Sequence, residues 1–275
     1  MRYGVRWSGS GRTVMPKVGI VTAMATEVWS LIRDWRKNPQ PSRNRPLDFA
    51  RGRVRVGHPL NFFEGEDAVV LCGGIGYEAG KRAAEAVVEY AKPDVLIATG
   101  LAGGLKPEWT LGRTMVAAEV VDEATGRRFR TAYGEGTVVS SREIARAGKK
   151  RELASRFAAD VVDMEGAGVA EVAEAHGLPF LAVKVISDDM DFELPPLQDF
   201  VNAEGKFQGV RFGFWAAWHP QWWPAIVQLK RRSDVAARAL AAKLRDVIAG
   251  WERNQDPSRP FPGLVKTPGT LGRSG

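Results

Sequence analysis

Lys92-Pro93-Asp94-Val95-Leu96-Ile97-Ala98-Thr99-Gly100-Leu101-Ala102-Gly103-Gly104-Leu105 is the stretch on which the fold turns. Residues 94–99 form a short apolar run, the pattern of a strand buried on both faces. Lys92-Pro93 closes what precedes it, an alanine-rich helical pattern over 78–91, because proline cannot continue a helix. Working outward, 68–72 and 18–21 read as further buried strands, with a helix over 27–35. Downstream, strands are expected at 114–122, 136–140 and 180–186, and helices at 143–158, 166–176 and 226–251. Strands alternating with helices in this way predict an α/β fold in three layers, α/β/α, around one central sheet.

A chain of 275 residues with 44% apolar side chains can bury a substantial core, which excludes disorder as a description of the whole. The longest mainly apolar stretch, 95–105, falls short of the roughly 18 residues a membrane span needs. The N-terminal arginines have no apolar run behind them, so export by a signal peptide is not expected and a cytoplasmic location is. One cysteine and three scattered histidines give no basis for a disulfide framework or a structural zinc site. Residues 1–15 read as a flexible extension and 16–253 as one domain, with a Trp/Pro-rich insertion at 192–225. The Pro-, Gly- and Ser-rich 254–275 reads as a disordered tail. The net charge of +7 gathers at the edges, around Arg2, Arg6 and Arg12, between Arg43 and Arg55, and at Lys230-Arg231-Arg232. No zinc-finger spacing or aromatic-basic RNA signature accompanies it, so a nucleic-acid partner is not expected.

Four stretches carry candidate chemistry. Cys72-Gly73-Gly74-Ile75-Gly76-Tyr77-Glu78-Ala79-Gly80 leaves a strand and enters a helix, a turn whose backbone amides can meet an anion or a sugar. Its spacing, Gly74-x-Gly76-x-x-x-Gly80, is one residue too long for a dinucleotide fingerprint. Asp94 also opens its strand, whereas a ribose-binding acid should stand at the carboxyl end. The glycines of 100–104 follow the 94–99 strand at the end where ligands bind in open α/β sheets. Asp163-Met164-Glu165 puts two carboxylates at a strand-to-helix junction, where either could cap the helix. Ser187-Asp188-Asp189-Met190-Asp191 packs three acids together at a strand end, and their repulsion is expected to hold at least one carboxyl protonated near neutrality. Cys72 lies on a buried strand with no histidine beside it, so a thiol nucleophile is not expected.

In this order the stretches resemble the nucleoside phosphorylase family, which includes purine and uridine phosphorylases and the methylthioadenosine/S-adenosylhomocysteine nucleosidases; the likeness is greatest to the nucleosidases. Gly19-Ile20-Val21-Thr22-Ala23-Met24-Ala25-Thr26-Glu27-Val28 is similar to their opening strand and acid-bearing turn, and Gly74-Ile75-Gly76 to their ribose-side loop. Residues 92–105, Asp163-Met164-Glu165 and Ile186-Ser187-Asp188 complete a likeness that spans roughly 17–191. The resemblance implies a mixed central sheet, a homo-oligomer, a small nucleoside substrate, and no metal or organic cofactor. It implies further that Asp188 protonates the purine at N7 and that Glu27 holds and deprotonates an attacking water. Met164, Glu165 and Gly74 would bind the ribose, Ile144, Ala145 and Ser187 the base, and Met24, Trp215 and Trp218 the 5′ side. Cleavage passes through an oxocarbenium-like sugar with a poor purine leaving group, which is why carboxylates serve at these places.

Several positions depart from the pattern. Ile144 stands where the nucleosidases stack an aromatic ring on the base. Leu101 replaces a small hydroxyl residue, and Ala98-Thr99 lacks the arginine that phosphorylases use, which favours water over phosphate as nucleophile. Arg53, Arg55 or Lys81 remain able to supply charge for a phosphate. Beyond Asp191, four tryptophans fall within nine residues, Trp215, Trp218, Trp222 and Trp223, ahead of Lys230-Arg231-Arg232. That segment fits an oligomer contact, a large apolar substrate pocket or a peripheral contact with anionic lipid. It is similar to the ending of hopanoid-associated phosphorylases, which implies phosphorolysis of an adenosine with a large apolar 5′ group, such as adenosylhopane, as the alternative substrate assignment. A nucleoside-binding or membrane-peripheral protein without turnover is the alternative of another class.

Overall fold

The structure is a computed structural model that describes residues 18–37, 61–192 and 194–254. The extension at 1–15, the Pro-rich connection with Arg53 and Arg55, and the tail beyond 254 lie outside the described residues.

Strand β5 (Val95–Gly104) is the spine of the sheet. Along its first half it pairs in parallel with β1 (Val18–Thr22), which in turn pairs in parallel with β4 (Ala68–Cys72). Along its other edge lies β11 (Phe180–Asp188), also parallel, and the far half of β5 meets β10 (Val161–Asp163) running antiparallel. Beyond β10 come β9 (Thr137–Ser140), β7 (Glu119–Asp122) and β8 (Arg128–Arg130). Beyond β4 come β3 (Asn61–Glu64) and β2 (Arg36–Lys37), and β6 (Thr114–Val116) pairs with β11. The mixed sheet that the resemblance implies is present.

The period-two geometry of strands sends alternate side chains into two helical layers. Leu96 and Ala98 of β5 with Ala182 of β11 pack against α2 (Tyr77–Ala91) and α4 (Gly166–Ala175). Val95, Ile97 and Val183 pack on the opposite side against α1 (Ala25–Ile32) and α6 (Trp223–Asn254). Each Val, Leu or Ile side chain so taken from water contributes about 1.5–3 kcal/mol. A smaller cluster around Leu105, Leu153 and Phe157 seats α3 (Ala147–Phe157). The expected stop at 92–93 is real: α2 ends on Lys92 in the left-handed conformation, φ 46°, directly before Pro93.

Local pattern misplaced several boundaries. β5 continues five residues beyond the expected 94–99, because β10 and β11 pair with the glycines and override their poor strand propensity. The single strand expected at 114–122 breaks at Ala117-Ala118 into β6 and β7, which serve different neighbours. α3 starts at Ala147 rather than near 143, and α6 starts at Trp223. β2, β3, β8 and α5 (Gly209–Ala217) were not legible as periodic patterns.

Candidate active site

Glu27 lies in the first turn of α1 just past β1 and is 5% exposed. Its Oε2 accepts hydrogen bonds from Thr22 Oγ1 at 2.5 Å and from the Met24 N–H at 3.3 Å, so strand and helix cap both orient it. Burial raises its pKa above the usual carboxylate value, against the lowering effect of the Thr22 hydroxyl. Gly100 makes room for it: at φ +148° this position favours glycine, and a Cβ there would stand 3.2 Å from Glu27 Oε2. Cys72, buried nearby, has its thiol pushed up to about 12 by burial and by the Glu27 charge.

Glu165 and Asp163 divide the work at the β10–α4 junction. Asp163 takes the structural share. Its Oδ1 accepts from Ser140 Oγ at 2.5 Å and its Oδ2 from the Gly166 N–H at 2.8 Å, capping α4 as one of the two sequence alternatives had it. Lys184 Nζ stands 2.5 Å from the same Oδ2, and both side chains are fully buried. Glu165 reaches the other way, accepting the Gly76 N–H at 2.8 Å on Oε1. Burial, then the Asp163 charge, raises its pKa to about 7, with Lys184 and the Gly76 bond opposing. Lys184 is the buried counter-charge of the cluster: burial disfavours its ammonium, but Asp163, Glu165 and Glu27 together outweigh that and raise its pKa. The sequence signal that could have singled it out is a lysine inside the otherwise apolar strand 180–186.

Asp188 ends β11 after a register shift and is 6% exposed. Ser187 Oγ donates to its Oδ1 at 2.7 Å, and Lys150 Nζ lies 2.5 Å from its Oδ2. The repulsion expected among three clustered acids is not realised, because their side chains diverge to separate cations. Asp189 pairs with Arg232 at 2.7 Å and Asp191 with Arg151 at 3.0 Å. Gly103 leaves the space, since a Cβ there would be 3.0 Å from both Asp188 Oδ2 and Lys150 Cε. Gly100 beside Glu27 and Gly103 beside Asp188 are three residues apart on β5, about 10 Å along the strand.

Two contacts tie the segment after Asp188 back to this centre. Gln198 Oε1 accepts the Ile144 N–H at 2.9 Å, and Gly205 O accepts the Ile75 N–H at 2.7 Å. The chain from 198 to 205 thus spans from the expected base side to the Gly74-Ile75-Gly76 loop. Gly74 itself, φ +98°, packs on Gly205 O. Met24, Met164 and Ile144 are half-buried, whereas the Ala145 methyl joins the core under α3 and leaves only its backbone for a ligand. Trp215 is half-buried, stacked on His219 at 4.4 Å and near Phe200, Phe212 and Trp222. Trp218 turns outward and is 83% exposed. Lys81 pairs with Glu171 at 3.2 Å. Among the described residues no group of three His, Cys, Asp or Glu is placed to hold a metal ion.

Buried acids follow the parallel strands β1 and β11, the end at which open α/β sheets bind ligands, and the antiparallel β10 brings in Glu165 from the other direction. The family follows from the chain itself: the phosphorylase superfamily matches residues 17–144 and 130–208, and the protein belongs to it. A 5′-methylthioadenosine/S-adenosylhomocysteine nucleosidase of Shewanella halifaxensis is 24% identical over 217 residues, 65% of this chain and 89% of that one. The corresponding enzyme of Shewanella sediminis is 25% identical over 214 residues, with the same coverage. Among solved structures, apo 5′-methylthioadenosine nucleosidase of Arabidopsis thaliana superposes with a TM-score of 0.63 at 17% identity, covering 90% of this chain and 98% of that one. Futalosine hydrolase of Helicobacter pylori does so with a TM-score of 0.57 at 17% identity, covering 84% and 98%. These likenesses show the fold.

Proposed function

We propose that the protein cleaves the N-ribosidic bond of an adenine nucleoside of the methylthioadenosine or adenosylhomocysteine type, releasing adenine with water as nucleophile. The observation that carries this reading is the set of three buried acids, Glu27, Glu165 and Asp188, each held by donors of the chain. In the proposed reaction Asp188 gives its proton to purine N7 while the C1′–N9 electron pair moves to the base. Glu165 accepts hydrogen bonds from the ribose hydroxyls as positive charge develops on the sugar. Glu27 takes a proton from the water whose oxygen bonds to C1′; a carboxylate made more basic by burial suits that task near neutral pH. Met164 and Gly74 would complete the ribose side, Ile144, Ala145 and Ser187 the base side, and Met24 and Trp215 the 5′ side. The nucleosidase names of the Shewanella relatives support both the bond and the nucleophile. The proposal includes a cytoplasmic site of action and a homo-oligomer, whose mass sedimentation measures. Incubation with methylthioadenosine, adenosylhomocysteine and adenosine, with and without phosphate, tests it. Free adenine and a free sugar hemiacetal are expected in either case, whereas a sugar 1-phosphate formed in proportion to added phosphate supports the phosphorylase alternative instead.

A second reading concerns the aromatic segment, where from 206 to 235 no residue is buried although seven are Phe or Trp. Val210 and Phe214 of α5 and its C-cap Trp218 follow one another at four-residue spacing and are 78%, 70% and 83% exposed. Pro220, Trp223, Pro224, Val227 and Arg231 border an open groove of about 680 Å³ next to them. We infer that this face rests on an anionic lipid surface. Aromatic rings suit the water–membrane boundary, and the exposed Arg211 and Arg231 suit anionic headgroups. No helix among the described residues is long and apolar enough to cross a membrane, so the contact would be peripheral.

A further inference from the structure

Lys149, Lys150 and Arg151 form a basic run that reads as a solvated face, yet the side chain of Lys150 is 1% exposed. The helical phase explains the burial: Lys150, Leu153 and Phe157 fall on the inner side of α3. An ammonium at that depth is unfavourable unless it is paired and hydrogen-bonded. Lys150 Nζ meets three acceptors, all from two residues at the end of β11: Asp188 Oδ2 at 2.5 Å, Asp188 O at 3.5 Å and Asp189 O at 2.6 Å. From α6, Arg232 donates to Ser187 O at 2.9 Å and pairs with Asp189. Cations from two helices therefore clamp 187–189, and Lys150 is the one that touches the Asp188 carboxyl.

We propose that Lys150 is a positioning residue for the acid step: it fixes the Asp188 carboxyl group and supplies the counter-charge for the carboxylate left once the proton has gone to the base. The inference rests on Asp188 being the acid. Asp188 rests as the ion-pair partner of Lys150 and takes up a proton before the substrate binds; in the step itself that O–H bond breaks, the proton joins purine N7, and the C1′–N9 pair moves onto the base. Lys150 gives up no proton. The negative charge then grows on Asp188 beside a fixed ammonium in a site that excludes water, where such an interaction is strong and needs no reorganisation. Its influence extends only to reactions whose leaving group needs a proton.

The test uses Lys150→Met, Lys150→Arg, Asp188→Asn and the Lys150→Met/Asp188→Asn double variant on methylthioadenosine and on p-nitrophenyl riboside, whose phenolate leaves without protonation. Lys150→Met should lower kcat on methylthioadenosine about 10- to 100-fold with KM changed by no more than about threefold, and should spare the phenyl riboside. Lys150→Arg should recover part of the loss. The double variant buries no unpaired charge and so reports even if Lys150→Met fails to fold; it should be no slower than Asp188→Asn alone. Equal losses on both substrates, additive losses in the double variant, or no loss on methylthioadenosine would each overturn the proposal. If Asp188→Asn itself turned methylthioadenosine over normally, the acid reading would fail and this inference with it. A slow Asp188→Asn beside a fast Lys150→Met would reject the inference alone.

Discussion

Glu27, Glu165 and Asp188 are all buried acids, but their surroundings differ, and each difference has a measurable consequence. Asp188 makes the sharpest case: Asp188→Asn keeps the Ser187 contact and the volume but has no acidic proton, so adenine release should fall by roughly 10²-fold or more. Near-normal release of adenine by that variant in a continuous assay would reduce Asp188 to a structural partner of Lys150. Glu165 carries a stability signature. Its pKa is about 7 in the folded state against 4.5 for the free side chain, so the folded protein binds the extra proton between those values. Stability contributed at this site therefore falls as pH rises from about 4.5 to 7, and Glu27, raised in the same direction, adds to the trend. Glu165→Gln cannot ionise; relative to wild type it should gain up to about 3 kcal/mol between pH 4.5 and pH 8 in urea titrations. A difference between the two proteins that stays flat with pH would show that Glu165 is not the titrating group.

Elements meet at the site through glycines that hold backbones close. Gly205, φ +80°, lets the turn at 202–206 lie on the Gly74-Ile75-Gly76 loop, and a Cβ there would stand 2.2 Å from Ile75 O. Gly205→Ala must therefore lift the turn away from the loop and also pay the left-handed strain, about 1 kcal/mol. The strain alone corresponds to about 2–4 °C of melting temperature for a chain of this size, and displacing the turn from Ile75 O adds to that drop. KM for adenine nucleosides should rise more than kcat falls, because the turn shapes the pocket and carries none of the acids. Unchanged KM in steady-state assays would mean that 198–205 does not border the substrate. The β5 strand makes a similar point without a mutation: its glycines at 100 and 103 allow Glu27 and Asp188 to approach one strand from different elements.

For the molecule as a whole, the proposed lipid contact of the exposed aromatic face is open to direct test. Changing Trp218 and Trp223 to Ser removes two large apolar contacts, worth several kcal/mol if both are buried on binding. Co-sedimentation with phosphatidylserine-containing vesicles should then fall at least tenfold, while turnover of methylthioadenosine in solution stays the same. A change in sedimentation mass with unaltered vesicle binding would assign the face to a second copy of the chain instead. The nucleophile can also be read from the intact enzyme: Glu27→Gln should suppress turnover about 10²-fold whether or not phosphate is added, because an amide cannot take a proton from water.

The order of elements, the apolar strands 68–72 and 95–99, the stop at Lys92-Pro93 and the five matching stretches were legible in the chain alone. Each is written in local pattern, the alternation and turn chemistry that neighbours in sequence impose on one another. The resemblance singled out Glu27, Glu165 and Asp188 as the candidate acids, and the structure buries all three. What the sequence could not show was the partner of each acid. Lys150 looks like Lys149 until α3 is set against β11, and the acids at 188, 189 and 191 look mutually repelling until Lys150, Arg232 and Arg151 arrive from elsewhere in the chain. The same limit hid the extension of β5 through its glycines and the docking of Gly205 on Ile75. Charge pairing and strand pairing depend on distances in space between residues far apart in sequence, and only the tertiary structure fixes those.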